Sequence, residues 1–495
     1  MSAAAPDREP GRGSRRGRRF RVAAATLAGR VTYFLLRAAG RSATTLPGRV
    51  ALAADPGLLG VLAARHRIIL VTGTNGKTTT ARMMTGILRR SGYLVADNPA
   101  GANLDSGLTT ALLTGETRKA RAGQTRFAVL EVDEAAFAAT AARLAPEVCV
   151  VTNIFRDQLD RYGERDAMRG LIETGLSVTV QGNAGKTSTL VLCADDPLCA
   201  SLADPFRGNP RVRTLYTGMD RADMSAGGQS GSLPEEAAHC PDCRARYRYE
   251  ATAYAHLGDY RCPVCGRRRP EPDIRFRMPA EPLDSAVDFV RREGGGADET
   301  AVRTAVAIPG RHNLYNAVSA LSAVTAAGIP FDSACALLSE VTPAFGRMER
   351  LTLDGKTVWM ILVKNPAGMD RALEHVCAAP DAGAVYFLLN SADADGRDTS
   401  WIWDARFEDR ALPQPVFVSG RRTWDMALRL RYAGLESGRI RAGQEAGDLL
   451  KEALAAVPEG KALYLLPNYT AMLDLRAGPL RRYGVRVFGE EDNNR

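Results

Sequence analysis

The sequence predicts an α/β protein built from two sheet-and-helix units, the first interrupted by a small ribbon that four cysteines hold. Three observations carry that prediction. Ile68-Ile69-Leu70-Val71 is a short apolar run, Gly73 to Gly76 a glycine-hinged turn, and Met83, Met84, Ile87 and Leu88 recur at helical spacing, which reads as strand, loop, helix. Cys240-Pro241-Asp242-Cys243 and Cys262-Pro263-Val264-Cys265 are two C-x-x-C knuckles. From Thr357 onward, the apolar runs 358–363, 384–389, 415–418 and 462–466 alternate with helical stretches, a second, Rossmann-like α/β unit.

The chain of 495 residues, 45% hydrophobic and 24% charged, is long enough for two or three cores. Its net charge of +9 is local: residues 1–50 hold eleven arginines against two acids, and the rest of the chain balances 54 basic with 54 acidic groups. A neutral body argues against a nucleic-acid partner. Nine cysteines, with no apolar leader and no run of eighteen apolar residues, favour a reducing, cytoplasmic setting. Pro10 to Arg21 is Arg-, Gly- and Ser-rich and is expected to be disordered. Val22 to Ala39 then reads as an amphipathic helix that packs on the next domain or, as the sharper alternative, leans on an anionic membrane surface.

Each element of the first unit follows from local chemistry. Glycines at 73 and 76 let successive N–H groups turn inward, and the helix opening at Lys77 adds its positive end, so Gly73, Thr74, Asn75 and Gly76 form a phosphate cradle. In such a loop Lys77 reaches the terminal phosphates, and Thr78 or Thr79 holds Mg²⁺. Gly182-Asn183-Ala184-Gly185-Lys186-Thr187-Ser188 repeats the spacing but leads into the strand-like run 189–193, so it is expected to be a surface loop. Phe127 to Glu134 is an apolar strand that runs into three acids, of which Glu131 is the candidate Mg²⁺ ligand. The knuckles, separated by eighteen residues, predict a tetrahedral Zn²⁺ site of Cys240, Cys243, Cys262 and Cys265, closed to water and therefore structural. Asn313 and Asn316 share one face of a helix that starts near Gly310.

The shortened spacing of the first loop resembles that of the Mur ligases and folylpolyglutamate synthetases, which activate a carboxylate as an acyl phosphate before an amine attacks. Together with the Cys₄ ribbon, the short stretch of about 65 residues before the loop, and Lys364-Asn365-Pro366-Ala367-Gly368, it is similar to the MurT branch, over roughly residues 25–490. The resemblance implies a Mur ligase-type central ATP-binding domain at 46–345, with the ribbon at about 236–270, after a basic head and helix at 1–45, and a MurT-type domain at 346–495. It implies that Asn313 and Asn316 serve the adenine, that Arg347 meets the nucleotide, and that Asp157 adds to the Mg²⁺ site although Gln158 replaces the usual His. It also implies ATP, Mg²⁺ and structural Zn²⁺, a lipid II substrate, and a class I glutaminase partner of the GatD type whose catalysis Asp398, or else Asp404, supports. The reaction implied is amidation of the D-Glu α-carboxylate of the stem peptide to D-isoglutamine. Rival readings are a ligase that adds an amino acid and a zinc-ribbon nucleic-acid ATPase.

Overall fold

The computed structural model describes residues 12–39, 43–98, 102–115, 124–155, 165–183, 185–226, 239–278, 286–293, 298–306, 310–341, 347–392, 395, 398–408 and 410–485. Three helices open the chain: α1 (Arg12–Ala38), α2 (Leu46–Ala54) and α3 (Leu58–Ala63). Then β1 (Arg67–Thr72), α4 (Lys77–Arg90), β2 (Leu94–Asp97), α5 (Asp105–Gly115), β3 (Arg126–Glu131), α6 (Phe137–Leu144), β4 (Val148–Val151), α7 (Arg165–Gly182), β5 (Ser188–Cys193), α8 (Pro197–Ser201) and β6 (Val212–Met219) alternate. After the ribbon strands β7 (Ser225–Ala226), β8 (Arg248–Tyr254) and β9 (Leu257–Arg261) come β10 (Ile274–Arg277), β11 (Ala286–Arg292), β12 (Glu299–Ala305), α9 (Arg311–Ala326) and α10 (Phe331–Leu338).

Among the described residues these strands make a nine-stranded sheet in the order β12-β11-β10-β6-β5-β4-β1-β3-β2, parallel from β10 to β2. Only β11 and β12 run antiparallel to their neighbours. Helices cover both faces of such a sheet, so its central strands are apolar throughout rather than alternating; β4 and β5 are buried at every residue. The order reverses around β1, and in open α/β sheets a ligand sits beyond the carboxyl ends of the strands at such a switch.

The ribbon is inserted between β6 and β10, which pair with each other in the sheet. It is a three-stranded antiparallel sheet, β7-β8-β9, docked by a buried ion pair in which Arg269 Nε donates to Asp195 Oδ1 at 2.7 Å. Tyr315 of α9 donates to the other Asp195 oxygen. Burial pushes the Asp195 carboxyl above its ordinary range, against the pull of Arg269 and Tyr315.

The second unit contains β13 (Arg347–Leu353), β14 (Lys356–Ile361), α11 (Pro366–Ala378), β15 (Ala382–Leu388), β16 (Val416–Ser419), α12 (Thr423–Tyr432), β17 (Ile440–Ala442), α13 (Ala446–Ala456), β18 (Ala462–Pro467) and α14 (Tyr469–Ala477). Its sheet runs β13-β14-β18-β15-β16-β17, parallel except for the β13–β14 hairpin.

One expectation is corrected. The stretch Pro10 to Arg21 was expected to be disordered, yet α1 already begins at Arg12. Arginine is a good helix former, and a helix nucleated on a packed segment propagates at little cost. The packed segment is clear: a Cβ at Gly29 would lie 2.7 Å from Leu113 Cδ1 and 3.0 Å from Ala51 Cβ, so α1 presses closely on α5 and α2.

Candidate active site

The loop after β1 is built as its glycines demand. Gly73 has φ +113° and Gly76 φ +86°, the left-handed region where other residues are strained. Space forbids a side chain as well: a Cβ at Gly73 would fall 2.5 Å from Thr152 Oγ1, and one at Gly76 2.0 Å from Asn316 Oδ1. Gly76 is the N-cap of α4, so the helix opens at Lys77 and directs its free N–H groups at the loop.

The end of β4 clamps the loop backbone. Thr74 N donates to Asn153 O (3.0 Å), Asn75 N to Asn153 Oδ1 (3.0 Å), and Thr152 Oγ1 and Asn153 Nδ2 donate to Asn75 O (2.7 and 3.0 Å). The end of β3 supplies the carboxylates. Thr78 Oγ1 donates to Glu131 Oε2 at 2.6 Å, and Lys77 Nζ pairs with Glu134 Oε1 at 2.7 Å while donating to Gly73 O at 2.7 Å. Asn98, at the end of β2, brackets the Glu131 backbone, accepting its N–H (2.8 Å) and donating to its carbonyl (2.9 Å). Lys77, Glu131 and Glu134 are all buried.

These donors fit a nucleotide with Mg²⁺. The Thr78 hydroxyl and the Glu131 carboxylate are hard oxygen ligands, and Asn75 Nδ2 is buried in the cradle with no hydrogen-bond partner among the described residues. Asn313 and Asn316 also lie at the loop: Asn316 Nδ2 donates to Asn313 Oδ1 at 3.2 Å, and Asn316 rests against Gly76. Asp157, with Gln158, lies outside the described residues, and of Arg347 only the backbone, opening β13, is described. Thr79 is buried in α4.

Three contacts were not anticipated by sequence reasoning. Glu134 rather than Glu131 takes Lys77, although three acids after a strand gave the signal. Past β14, Lys364 Nζ donates to Thr74 O (3.3 Å) and Asn365 Nδ2 to Asn75 Oδ1 (3.1 Å), while Asn365 Oδ1 caps α11 by accepting from Gly368 N at 2.8 Å. The second unit therefore completes the loop of the first. The repeat at Gly182–Ser188 behaves as expected: Lys186 is exposed, and β5 follows instead of a helix.

In the ribbon, Cys240, Cys243, Cys262 and Cys265 place their sulfur atoms within 4.8 Å of one another. The shortest approaches are 3.5 Å for Cys240–Cys265 and 3.4 Å for Cys243–Cys262, spacing that suits four thiolates around one Zn²⁺. Although burial opposes it, the backbone N–H groups of Cys265 and Val264 lower Cys262 to about 6. Against the lowering pull of the Arg267 N–H, burial and the Cys240 thiol raise Cys265 to about 12. None of the nine cysteines is in a disulfide. His256 is buried against the Phe155 ring (centroids 4.5 Å) and 3.5 Å from Asp196, away from the thiol cluster's ligand set.

In the second unit, Asp398 is exposed and accepts from Ser400 N (2.8 Å) and Ser400 Oγ (2.9 Å), just ahead of the short helix Ser400–Trp403, after which Asp404 is also exposed. Beside them Trp403, Trp424, Leu428 and Tyr432 form an exposed apolar patch, with the Trp403 and Tyr432 rings 5.4 Å apart.

Residues 71–229 match the Mur ligase middle domain family and residues 362–472 the MurT ligase C-terminal family. The chain is 35% identical to the MurT subunit of lipid II isoglutaminyl synthase (glutamine-hydrolyzing) of Streptococcus pneumoniae strain R6, over 91% of this chain and 95% of the relative. It is 31% identical to the subunit of the same name from Staphylococcus aureus strain COL, over 88% and 92%. Among solved structures, MurF from Acinetobacter baumannii superposes with a TM-score of 0.61 at 18% identity, over 88% of this chain and 80% of that one, a likeness of fold.

Proposed function

The chain belongs to the MurT family, and from that premise we propose that it is the ATP-using subunit of a lipid II isoglutaminyl synthase, a ligase of peptidoglycan biosynthesis. Membership in the Mur ligase family implies use of ATP and Mg²⁺, and the name of the relatives implies a second subunit. The finer reading is that the terminal phosphoryl group of ATP passes to the D-Glu α-carboxylate of the stem peptide, and that ammonia then displaces phosphate to leave D-isoglutamine. A GatD-like class I glutaminase would supply the ammonia, in the cytoplasm at the inner face of the membrane. The observation that carries this reading is that the likeness spans 91% of the chain, with the loop at 73–79 inside the family match at 71–229 and the segment at 364–404 inside the match at 362–472.

The chain's own residues have distinct tasks. The loop N–H groups and the end of α4 hold the phosphates, and Lys77 neutralises charge on the phosphoryl group in transit. Glu134 aligns Lys77. Thr78 and Glu131, with Asp157, would hold Mg²⁺, which supplies further charge neutralisation when bound. Asn313 and Asn316 would meet the adenine side, and Arg347 the nucleotide at the junction of the units. Lys364 and Asn365 close the second unit on the cradle, so the acyl group and the ammonia meet where water is excluded. The four cysteines would hold a structural Zn²⁺. Asp398, with Asp404 as second choice, would support the glutaminase, and the Trp403–Tyr432 patch beside them offers the apolar centre that a stable subunit interface needs. On this reading the chain divides at about residues 45 and 345.

The test supplies detergent-solubilised lipid II, ATP and Mg²⁺ with either ammonium, or glutamine and the glutaminase subunit, and follows phosphate release and the acid-to-amide mass change. Activity with both nitrogen sources is expected. Failure of both sinks the proposal, and turnover with an added amino acid instead would identify an amino-acid ligase.

A further inference from the structure

The first helix carries two apolar faces, and only one of them is used. Ala25 and Gly29 face the protein, Gly29 pressed on α2 and α5. On the opposite side Phe20, Leu27, Val31, Phe34 and Leu35 fall within an arc of about 100° at helical spacing, and they are bare: 77% exposed for Phe20, 64% for Leu27, 58% for Phe34 and 66% for Leu35. Such a stripe is costly in water unless something covers it. Leu46 and Val50 of α2, one turn apart, are exposed as well.

The charge around the stripe is of one sign. The 27 residues of α1 contain eight arginines and no acid. At 100° per residue, Arg19, Arg30 and Arg37 fall along one edge of the stripe and Arg21 along the other. On the first edge a groove of about 990 Å³ opens between α1 and α3, lined by Arg18, Arg19, Arg30 and Arg65 over Val22 and Val61. No acidic side chain lines it among the described residues. Arg30 is positioned there by its Nε–H, which donates to Leu113 O at 3.2 Å. An apolar stripe with a row of arginine along one edge and Arg21 on the other, and a cationic groove alongside, matches the layering of an anionic bilayer, acyl chains flanked by phosphates. Among the described residues no helix is long and apolar enough to cross a membrane, so α1 would lie on the bilayer and not span it.

We propose that α1 is an interfacial membrane anchor: Phe20, Leu27, Val31, Phe34 and Leu35 enter the acyl layer, and Arg18, Arg19, Arg30 and Arg65 gather the phosphates of anionic phospholipids. This deepens the proposed function and rests on it for one point, the lipid-linked substrate, which such an anchor would keep within reach of the loop. A second copy of the chain or a partner subunit would cover the apolar stripe alone, whereas an anionic bilayer also answers the arginines along its edges.

The experiment is co-sedimentation of the full chain with phosphatidylcholine vesicles containing about three parts in ten phosphatidylglycerol, and with phosphatidylcholine alone. The chain is expected to pellet with the anionic vesicles and to be released by high salt. Inorganic phosphate at matched ionic strength is expected not to compete, since a free phosphate offers nothing to the stripe. Phe34→Ser with Leu35→Ser, and separately Arg18→Gln, Arg19→Gln and Arg65→Gln together, should each weaken partitioning at least about tenfold. All five side chains lie on the surface, and an unchanged melting curve checks that the variants fold. The inference is overturned if anionic vesicles fail to pellet the chain, if neither variant changes pelleting, or if the serine variant instead converts a dimer to a monomer in sedimentation. Amidation of detergent-solubilised substrate with ammonium, run on the same proteins, separates the two ideas. Persistent amidation without vesicle binding removes the anchor alone, and vesicle binding without amidation removes the enzymatic reading alone.

Discussion

Two loops of this chain share one spelling and differ in everything else. Gly73-Thr74-Asn75-Gly76-Lys77-Thr78-Thr79 and Gly182-Asn183-Ala184-Gly185-Lys186-Thr187-Ser188 have the same spacing of Gly, Lys and hydroxyl residues. In both, the second glycine is left-handed, with φ +86° at Gly76 and +79° at Gly185. The first loop opens a fourteen-residue helix and is enclosed by the ends of β3 and β4, by Asn316 and by Lys364 and Asn365. The second follows a helix and enters a strand, with Lys186 in solvent. A phosphate needs convergent donors in a dry place, and only a helix start ringed by other elements provides them. The motif alone is a spacing. The site is the enclosure.

The largest effect expected from this contrast is catalytic. Lys77→Ala should lower ATP-dependent phosphate release by more than about 100-fold, because the charge it neutralises develops where little water can replace it. Lys186→Ala should leave the rate unchanged. Equal losses in the two variants would break the comparison.

Next comes zinc, which bears on the second loop's side of the sheet. The strand that this loop enters ends near Asp195, whose buried charge is answered by Arg269 at the base of the ribbon. Removing the Zn²⁺ proposed for the ribbon with a chelator should unfold the ribbon and expose or orphan that pair, at a cost of about 3 kcal/mol. The melting temperature should therefore fall while ATP affinity at the first loop survives. Acid should aid the removal, since the metal requires thiolates and protons compete with it for the four sulfur atoms. Zinc retained undiminished at low pH would contradict a thiolate site.

A smaller effect separates the glycines. Gly73→Ala meets both backbone strain, about 1–3 kcal/mol, and overlap with Thr152 Oγ1 and Asn153 O, so the loop should be destabilised and ATP affinity reduced. Gly185→Ala meets strain alone, at about 1 kcal/mol, since a Cβ there would touch nothing within 4 Å. Denaturant melts of both variants, with ATP titration, measure the difference.

What could be read from the sequence follows the range of each interaction. The cradle and the cysteine knuckles are contiguous, so spacing reveals them. That β3 would end in an acid was legible too, because a parallel strand delivers its last residue to the sheet's functional edge. The division of labour between Glu131 and Glu134 was not, since it depends on which carboxylate faces a lysine 57 residues away. Lys364 was legible only as part of a motif that carries the resemblance. Its use, on a carbonyl 290 residues earlier, exists only once two sheets have packed together. The helical head was misread because low apolar content at Arg12 to Arg21 hid the anchor that the following turns provide.

The smallest expected effect tests whether that packing matters to the loop. Asn365→Ala removes a helix cap, worth about 1 kcal/mol, and the bond to Asn75 Oδ1. The cap stabilises only the second unit, so if the cross-contact were idle the variant would melt slightly earlier and bind ATP as before. The enclosure argument expects more: with Asn75 released, the loop samples other conformations when empty, and ATP affinity should fall a few-fold. Asn365→Asp restores a capping oxygen but brings no amide donor, so it should recover stability without recovering affinity. Recovery of both would mean that the second unit only covers the loop, and the contrast between the two loops would then rest on the helix start alone.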